Sequence, residues 1–241
     1  MNKIDRKRIL LKLSGELFGS GSVDPDRVYG FAEELAAAIN GEAEIAVVVG
    51  GGNILRGGAY SGKGYDRGSC DYMGMIATVI NAQALKIALD RLEVPAVVMT
   101  AFSVRGVGEE FDPFRARECL ERGSVLILAG GTGNPYFTTD TAAALRAAQI
   151  GADVIYKGTK VDGVYDSDPV KNENARKFDF LTYTEVLTND LKVMDSMAVA
   201  FCRENSIPVF VFNIIREGNL EKAVQGNAPG TLIKGGADGI C

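Results

Sequence analysis

The segment Gly130–Asp140, read GGTGNPYFTTD, gathers residue types suited to holding a small anion. Its glycines let backbone N–H groups come close to a ligand. Thr132, Thr138 and Thr139 add hydroxyl donors, and a helix predicted from Thr139 turns its positive end toward the same place. Tyr136 and Phe137 can pack beside a base or a sugar, while Asp140 falls in the first helical turn. A plainer reading is that Thr139 or Asp140 only caps that helix. Capping and anion binding are compatible, so both stand.

Three more segments share this character. In Lys12-Leu13-Ser14-Gly15 a lysine ends an apolar run and a glycine allows a sharp turn. Taken alone, this is a strand-end lysine before a turn. Gly50-Gly51-Gly52-Asn53 ends the run EIAVVV, with Arg56 shortly after. Three consecutive glycines cost chain entropy, which close approach of backbone to an anion explains better than a flexible turn. A dinucleotide fingerprint is excluded, because Leu55 stands where glycine or alanine is needed. Gly57–Gly64 imitates a P-loop but has Gly64 in place of the magnesium-binding hydroxyl, and no strand precedes it. The fourth segment, Lys157–Pro169, holds the turn signal Asp162-Gly163 and predicts a hairpin-like loop. Its acidic residues lack the glycine and distal glutamate of a calcium loop.

Composition narrows the chemistry. There is no histidine among the 241 residues, so histidine-based nucleophile and acid–base systems are excluded in their usual forms. Catalysis must rest on Lys, Arg, Asp, Glu, hydroxyls, backbone N–H groups and a metal held mainly by substrate. Cys70, Cys119, Cys202 and Cys241 form no CxxC pair and are expected as free thiols in a reducing compartment. The net charge of −5 offers no field for nucleic acid, and the short basic run at Lys3–Arg8 reads as a solvated lead-in. No apolar run of membrane-spanning length and no leader pattern are expected, which points to the cytoplasm.

The elements that position these segments alternate. Strands are predicted at Arg8–Leu13, Glu44–Val49, Ala96–Thr100, Ser124–Ala129, Asp153–Lys157, Pro208–Phe212 and Thr231–Ile233. Helices are predicted at Pro25–Ile39, Asp71–Leu92, Asp112–Arg122, Thr139–Ile150, Leu191–Asn205 and Leu220–Gln225. Continuous apolar strands between helices predict a mainly parallel sheet covered on both faces. All four special segments then sit at the carboxyl ends of strands, where ligands collect in such sheets.

In order, the stretches KRILLKLSGE, VVVGGGNILRG, DYMGMIATVINA, GTGNPYFTTDTAA, KGTKVDGVYDSDP, LKVMD, PVFVFN and GTLI resemble the amino-acid kinase family, in its bacterial-type UMP kinase branch. The likeness spans nearly the whole chain. It implies an α/β fold, a three-layer αβα sandwich in one domain over residues 1–241. Soft lobes would divide it at 1–151 on the acceptor side and 152–241 on the ATP side. It implies a homohexamer that transfers a phosphoryl group from ATP to UMP, with Mg²⁺ carried on the ATP phosphates. By position, Lys12, Leu13, Ser14, Gly15, Gly52, Arg56, Thr159, Tyr165 and Asp168 would contact ATP. Gly51, Asp71, Thr132, Gly133, Asn134, Pro135, Tyr136, Phe137, Thr138 and Thr139 would bind UMP. Lys12 would stabilise the moving phosphoryl group and Asp140 would orient Lys12. Lys157, Lys192 and Asp195 are unranked candidates for charge balance. Leu17–Ser22 is shorter than in members that GTP activates there. Two alternatives stay open: a kinase of this fold acting on a carboxylate or carbamate, and a non-catalytic nucleotide or oxyanion binder.

Overall fold

The β-branched apolar runs become strands of one nine-stranded sheet in the computed structural model, which describes residues 6–39, 43–56, 60, 63–169 and 171–236. The strands are β1 (Lys7–Leu13), β2 (Ala43–Val49), β3 (Ala96–Thr100), β4 (Glu109–Glu110), β5 (Val125–Ala129) and β6 (Val154–Thr159), followed by β9 (Phe180–Thr182), β10 (Val209–Asn213) and β11 (Gly230–Lys234). Their order is β4-β3-β5-β2-β1-β6-β10-β11-β9, and every pairing is parallel except β10 with β11. Two further short strands, β7 (Val164–Tyr165) and β8 (Lys177–Phe178), pair antiparallel apart from the sheet.

Helices cover both faces. On one side lie α1 (Pro25–Ala38), α2 (Arg67–Arg91) and α7 (Asn219–Val224), packed on Ile9, Leu11 and Leu13. On the other lie α3 (Pro113–Glu121), α4 (Thr139–Ile150), α5 (Tyr183–Thr188) and α6 (Ser196–Glu204), packed with Leu10. The period of two along β1 therefore puts Lys12 on the α4 side, in line with Leu10. This is the three-layer arrangement that the alternating apolar runs predict.

Local chemistry sets the helix starts, and some differ from expectation. Thr138 caps α4, accepting from Asp140 N and Thr141 N, in place of Thr139 or Asp140. Asp66 caps α2, so that helix begins at Arg67 and Asp71 lies one turn inside it. Asp195 caps α6, so Leu191–Met194, predicted as the first turn of that helix, lies outside it. Asp162-Gly163 joins no pair of bonded strands, because Val164–Tyr165 pairs with the more distant Lys177–Phe178. The P-loop-like run falls partly at 57–59 and 61–62, and Lys3, Val170 and Cys241 likewise lie outside the described residues.

Helix α2 corrects one expectation. It has 25 residues and a window of mean hydropathy 1.3, enough by length and composition to cross a bilayer. Half of that window is buried against the sheet and α1, as in the core helix of a layered domain. Its outer side is apolar too: Tyr72, Met73, Ile76, Ile80 and Ile87 are each about half exposed.

Candidate active site

Parallel register brings the first and fourth segments side by side: Lys12 on β1 stands opposite Lys157 on β6. Asp140, in the first turn of α4, reaches between them. Lys12 Nζ lies 2.8 Å from Asp140 Oδ1, and Lys157 Nζ lies 2.8 Å from Oδ2. All three side chains are about seven-eighths shielded from water. Burial pushes the Asp140 carboxyl up, but the Lys12 and Lys157 ammoniums together outweigh it and hold the group below the usual range. Burial lowers Lys157; attraction to Asp140 opposes this, and repulsion from Lys12 adds to it, leaving a net fall. Lys157 Nζ also donates to Val193 O. Two cations on one carboxylate leave a net positive charge, a fitting place for an anion.

The glycine segments close around this trio. A Cβ on Gly15 would stand 2.7 Å from Gly52 N and 2.9 Å from Gly50 O, so only glycine lets the first two loops touch. Ser14 accepts from Glu16 N and starts a single 3₁₀ turn. Helix α2 then holds two loops at once. Asn81 donates to Gly50 O at 2.7 Å and exchanges hydrogen bonds with Asn53, while Thr78 Oγ1 accepts from Gly130 N at 2.7 Å. Gly130, Gly131 and Gly133 take positive φ, which bends the third loop back over β3 and α2.

Between these loops and α2 opens a cleft of about 280 Å³. Of the residues singled out for UMP, Gly51, Asp71, Thr132, Asn134, Phe137, Thr138 and Thr139 line it, together with Gly52 of the set singled out for ATP. Arg67, Cys70, Gly74, Met75 and Thr78 also line it; sequence reasoning missed them, although with Asp71 they recur at helical spacing. Asp71 accepts from Arg67 and from Tyr136 N at 2.8 Å, and the Arg67 guanidinium lies over the Tyr136 ring. Tyr136 itself points outward, Pro135 sits near Gly68, and Gly133 turns against Ala101.

Other expected residues stand apart. Arg56 is largely exposed and ion-paired to Glu16, which also holds Lys160 at 2.7 Å. Thr159 bonds to Val161, and the Tyr165 hydroxyl donates to Asp162, so both shape the segment after β6. The Asp168 carbonyl accepts from Lys171 N and Asn172 N. Lys192 pairs with Asp190 on the surface, away from the trio. Asp195 takes the hydroxyls of Thr138 and Thr141, at 2.5 and 3.0 Å, tying α6 to the start of α4. A larger groove of about 700 Å³ lies on the α1 side, lined by Glu16, Glu34 and Arg216 among others. Volume alone does not select it, since the buried Lys–Asp–Lys trio and the glycine loops converge elsewhere.

Residues 7–213 match the amino acid kinase family, a span that takes in every segment just described up to the end of β10. The chain belongs to the amino acid kinase family. It is 50% identical over 233 residues to the chloroplastic uridylate kinase PUMPKIN of Arabidopsis thaliana, covering 95% of this chain and 69% of that protein. The crystal structure of UMP kinase from Ureaplasma parvum superposes with a TM-score of 0.90 at 36% identity, covering 95% of this chain and 99% of that one. UMP kinase from Bacillus anthracis gives 0.91 at 34%, covering 96% and 97%.

Proposed function

We propose that this chain transfers the γ-phosphoryl of ATP to a phosphate oxygen of UMP, giving ADP and UDP. The observation that carries the reading is Asp140 held between Lys12 and Lys157 beside the Gly130–Thr139 cleft. An oxygen of the UMP phosphate forms the new bond to Pγ as the bond to the β–γ bridging oxygen breaks, leaving the electron pair on ADP. That acceptor is already ionised near neutral pH, so no general base is required. The protein's work is to position two anions and to offset their charge. Asp140 fixes both ammonium groups, and Lys12 meets the moving phosphoryl.

The ATP side comprises Lys12, Leu13, Ser14, Gly15, Gly52, Arg56, Thr159, Tyr165 and Asp168. Arg56 leaves Glu16 to reach phosphate. The UMP side comprises Gly51, Asp71 and Thr132 to Thr139. Residues 1–151 and 152–241 serve as acceptor and ATP lobes of one domain. Both Asp140 oxygens are engaged by lysines, which fits a magnesium ion carried by the ATP phosphates, where it would neutralise charge. The exposed apolar stripe of α2 supports assembly into a homo-oligomer, a hexamer by family likeness. Unpaired Cys70, Cys119 and Cys202 suit a reducing compartment, and we place the protein in the cytoplasm, although its Arabidopsis relative is chloroplastic.

The test is a panel of UMP, CMP, AMP and GMP with ATP and magnesium. UMP should have the highest kcat/KM. Equal turnover of another monophosphate overturns the specificity, and phosphorylation of a carboxylate or carbamate in its place moves the chain to another branch.

A further inference from the structure

We propose that Lys160 is a further ligand for a substrate phosphate, and that Glu16 competes with that phosphate for Lys160 and Arg56. This rests on the reading of the chain as a kinase that binds two phosphorylated nucleotides.

Three separate segments meet at these residues. Glu16 lies in the 3₁₀ turn after β1, Arg56 follows the second glycine loop, and Lys160 follows β6. The Lys160 backbone is held in place, because its carbonyl accepts from Asn213 Nδ2 at 3.0 Å, at the end of β10. Its ammonium reaches back to Glu16 Oε2 at 2.7 Å, while Arg56 Nη2 donates to Glu16 Oε1. Lys160 above all, and then Arg56, holds the Glu16 carboxyl below the usual range against the effect of burial.

The same residues line a compartment of about 290 Å³. Gly52 lines both this compartment and the cleft beside the trio, so the two adjoin. Arg27 adds a third cation, and Glu16 is the one carboxylate among the described residues that line it. Three cations against one carboxylate leave room for further negative charge. A carboxylate that accepts from two cations on different loops also marks where an oxyanion fits, since phosphate oxygens accept in the same way. Both cations are about seven-tenths exposed, so their pairs with Glu16 are weak. A phosphate brings close to two charges and three acceptor oxygens, and takes the cations over. A nucleoside without phosphate offers them nothing. Glu16, tethered beside them at high effective concentration, reclaims them from any ligand of lower charge.

Calorimetry on Glu16→Gln, Lys160→Met and the double variant reads the Kd of ATP, UMP and uridine, alongside the melting temperature of each protein. Glutamine keeps the shape and removes the charge. The Gln variant should therefore bind at least one of the two nucleotides about threefold more tightly, and the Met variant should bind the same one about fivefold more weakly. Uridine should gain nothing. In the double variant the gain from Glu16→Gln should shrink, because part of what Glu16 competes for is gone. Tightening of ATP alone assigns the compartment to the donor phosphates, of UMP alone to the acceptor phosphate, and of both to a shared role. Weaker or unchanged binding of both nucleotides by the Gln variant, with or without a lowered melting temperature, makes Glu16 a brace between loops and overturns the proposal. Unchanged affinities in the Met variant, or equal tightening of uridine and UMP in the Gln variant, overturn it too. If the unmodified protein binds neither ATP nor UMP, the kinase reading falls with it. If it binds both and the variants behave as a brace would, only this proposal falls.

Discussion

At Asp140 two ion pairs meet on one carboxylate, so the two lysines differ from ordinary surface cations. Lys12→Ala removes charge aimed at the transition state. Its kcat should fall roughly 10²–10³-fold while UMP Kd stays the same, and an unchanged kcat would remove Lys12 from its role. Asp140→Asn leaves two buried ammonium groups facing one another. Unfolding in urea should show a loss of about 3–5 kcal/mol. The sign with pH follows from the lowered carboxyl. Its stabilisation is fully present above the ordinary value of 3.8 and is lost as pH falls through the lower folded value. That contribution to the acid limb should be missing in the Asn variant. Lys157 is already lowered by burial against the pull of Asp140. Without that pull it falls further, and the residual rate of the variant should be lost from a lower alkaline pH. Lys12 and Asp140 were legible as chemistry because each follows or precedes a glycine-rich turn. Lys157 was not separable from Lys192 and Asp195, since only the pairing of β1 with β6 across the sheet shows that it shares a carboxylate with Lys12.

Helix α2 is the element on which both glycine loops depend, through Asn81 to Gly50 and Thr78 to Gly130. Thr78→Val preserves shape and leaves the Gly130 N–H buried without its acceptor. The expected cost is about 1–3 kcal/mol in urea unfolding, together with a raised KM for UMP and little change in KM for ATP. Equal changes in both KM values would mean that the two loops move as one. Much of this level was readable. Apolar runs stopped by glycine marked β1, β2 and β5, and Asp24 before Pro25 marks one helix start, while Asp112, predicted inside its helix, proves to be the cap. What escaped has physical reasons. Strands β7 and β8 have two residues each, too short for alternation to register. Helix α5 has six, although the capping box Thr182–Glu185 was there to be read. Leu191–Met194 carries helical spacing but ends at Asp195, whose side chain accepts from Ala198 N and so starts a new helix. The cleft residues of α2 were missed because long helices have several stripes, and only packing tells which one faces a ligand.

At the scale of the molecule, the exposed stripe Tyr72, Met73, Ile76, Ile80 and Ile87 on α2 is an apolar surface suited to a second copy. Ile76→Asp with Ile80→Asp should shift sedimentation toward the monomer without lowering monomer solubility, and an unchanged sedimentation coefficient would place the contact elsewhere. The helix that bears this stripe outward grips the Gly50 and Gly130 loops inward. If that stripe carries the contact between copies, assembly and substrate binding share one mechanical part, and linkage makes their influence mutual. If a partner subunit steadies α2 and thereby favours UMP, then UMP must favour the partner by the same factor. Near the dissociation midpoint, adding UMP should draw free chains into the assembled form. Dilution, conversely, should lower the specific activity before it unfolds the protein, so that the quantity of enzyme present acts as a regulator of its own affinity.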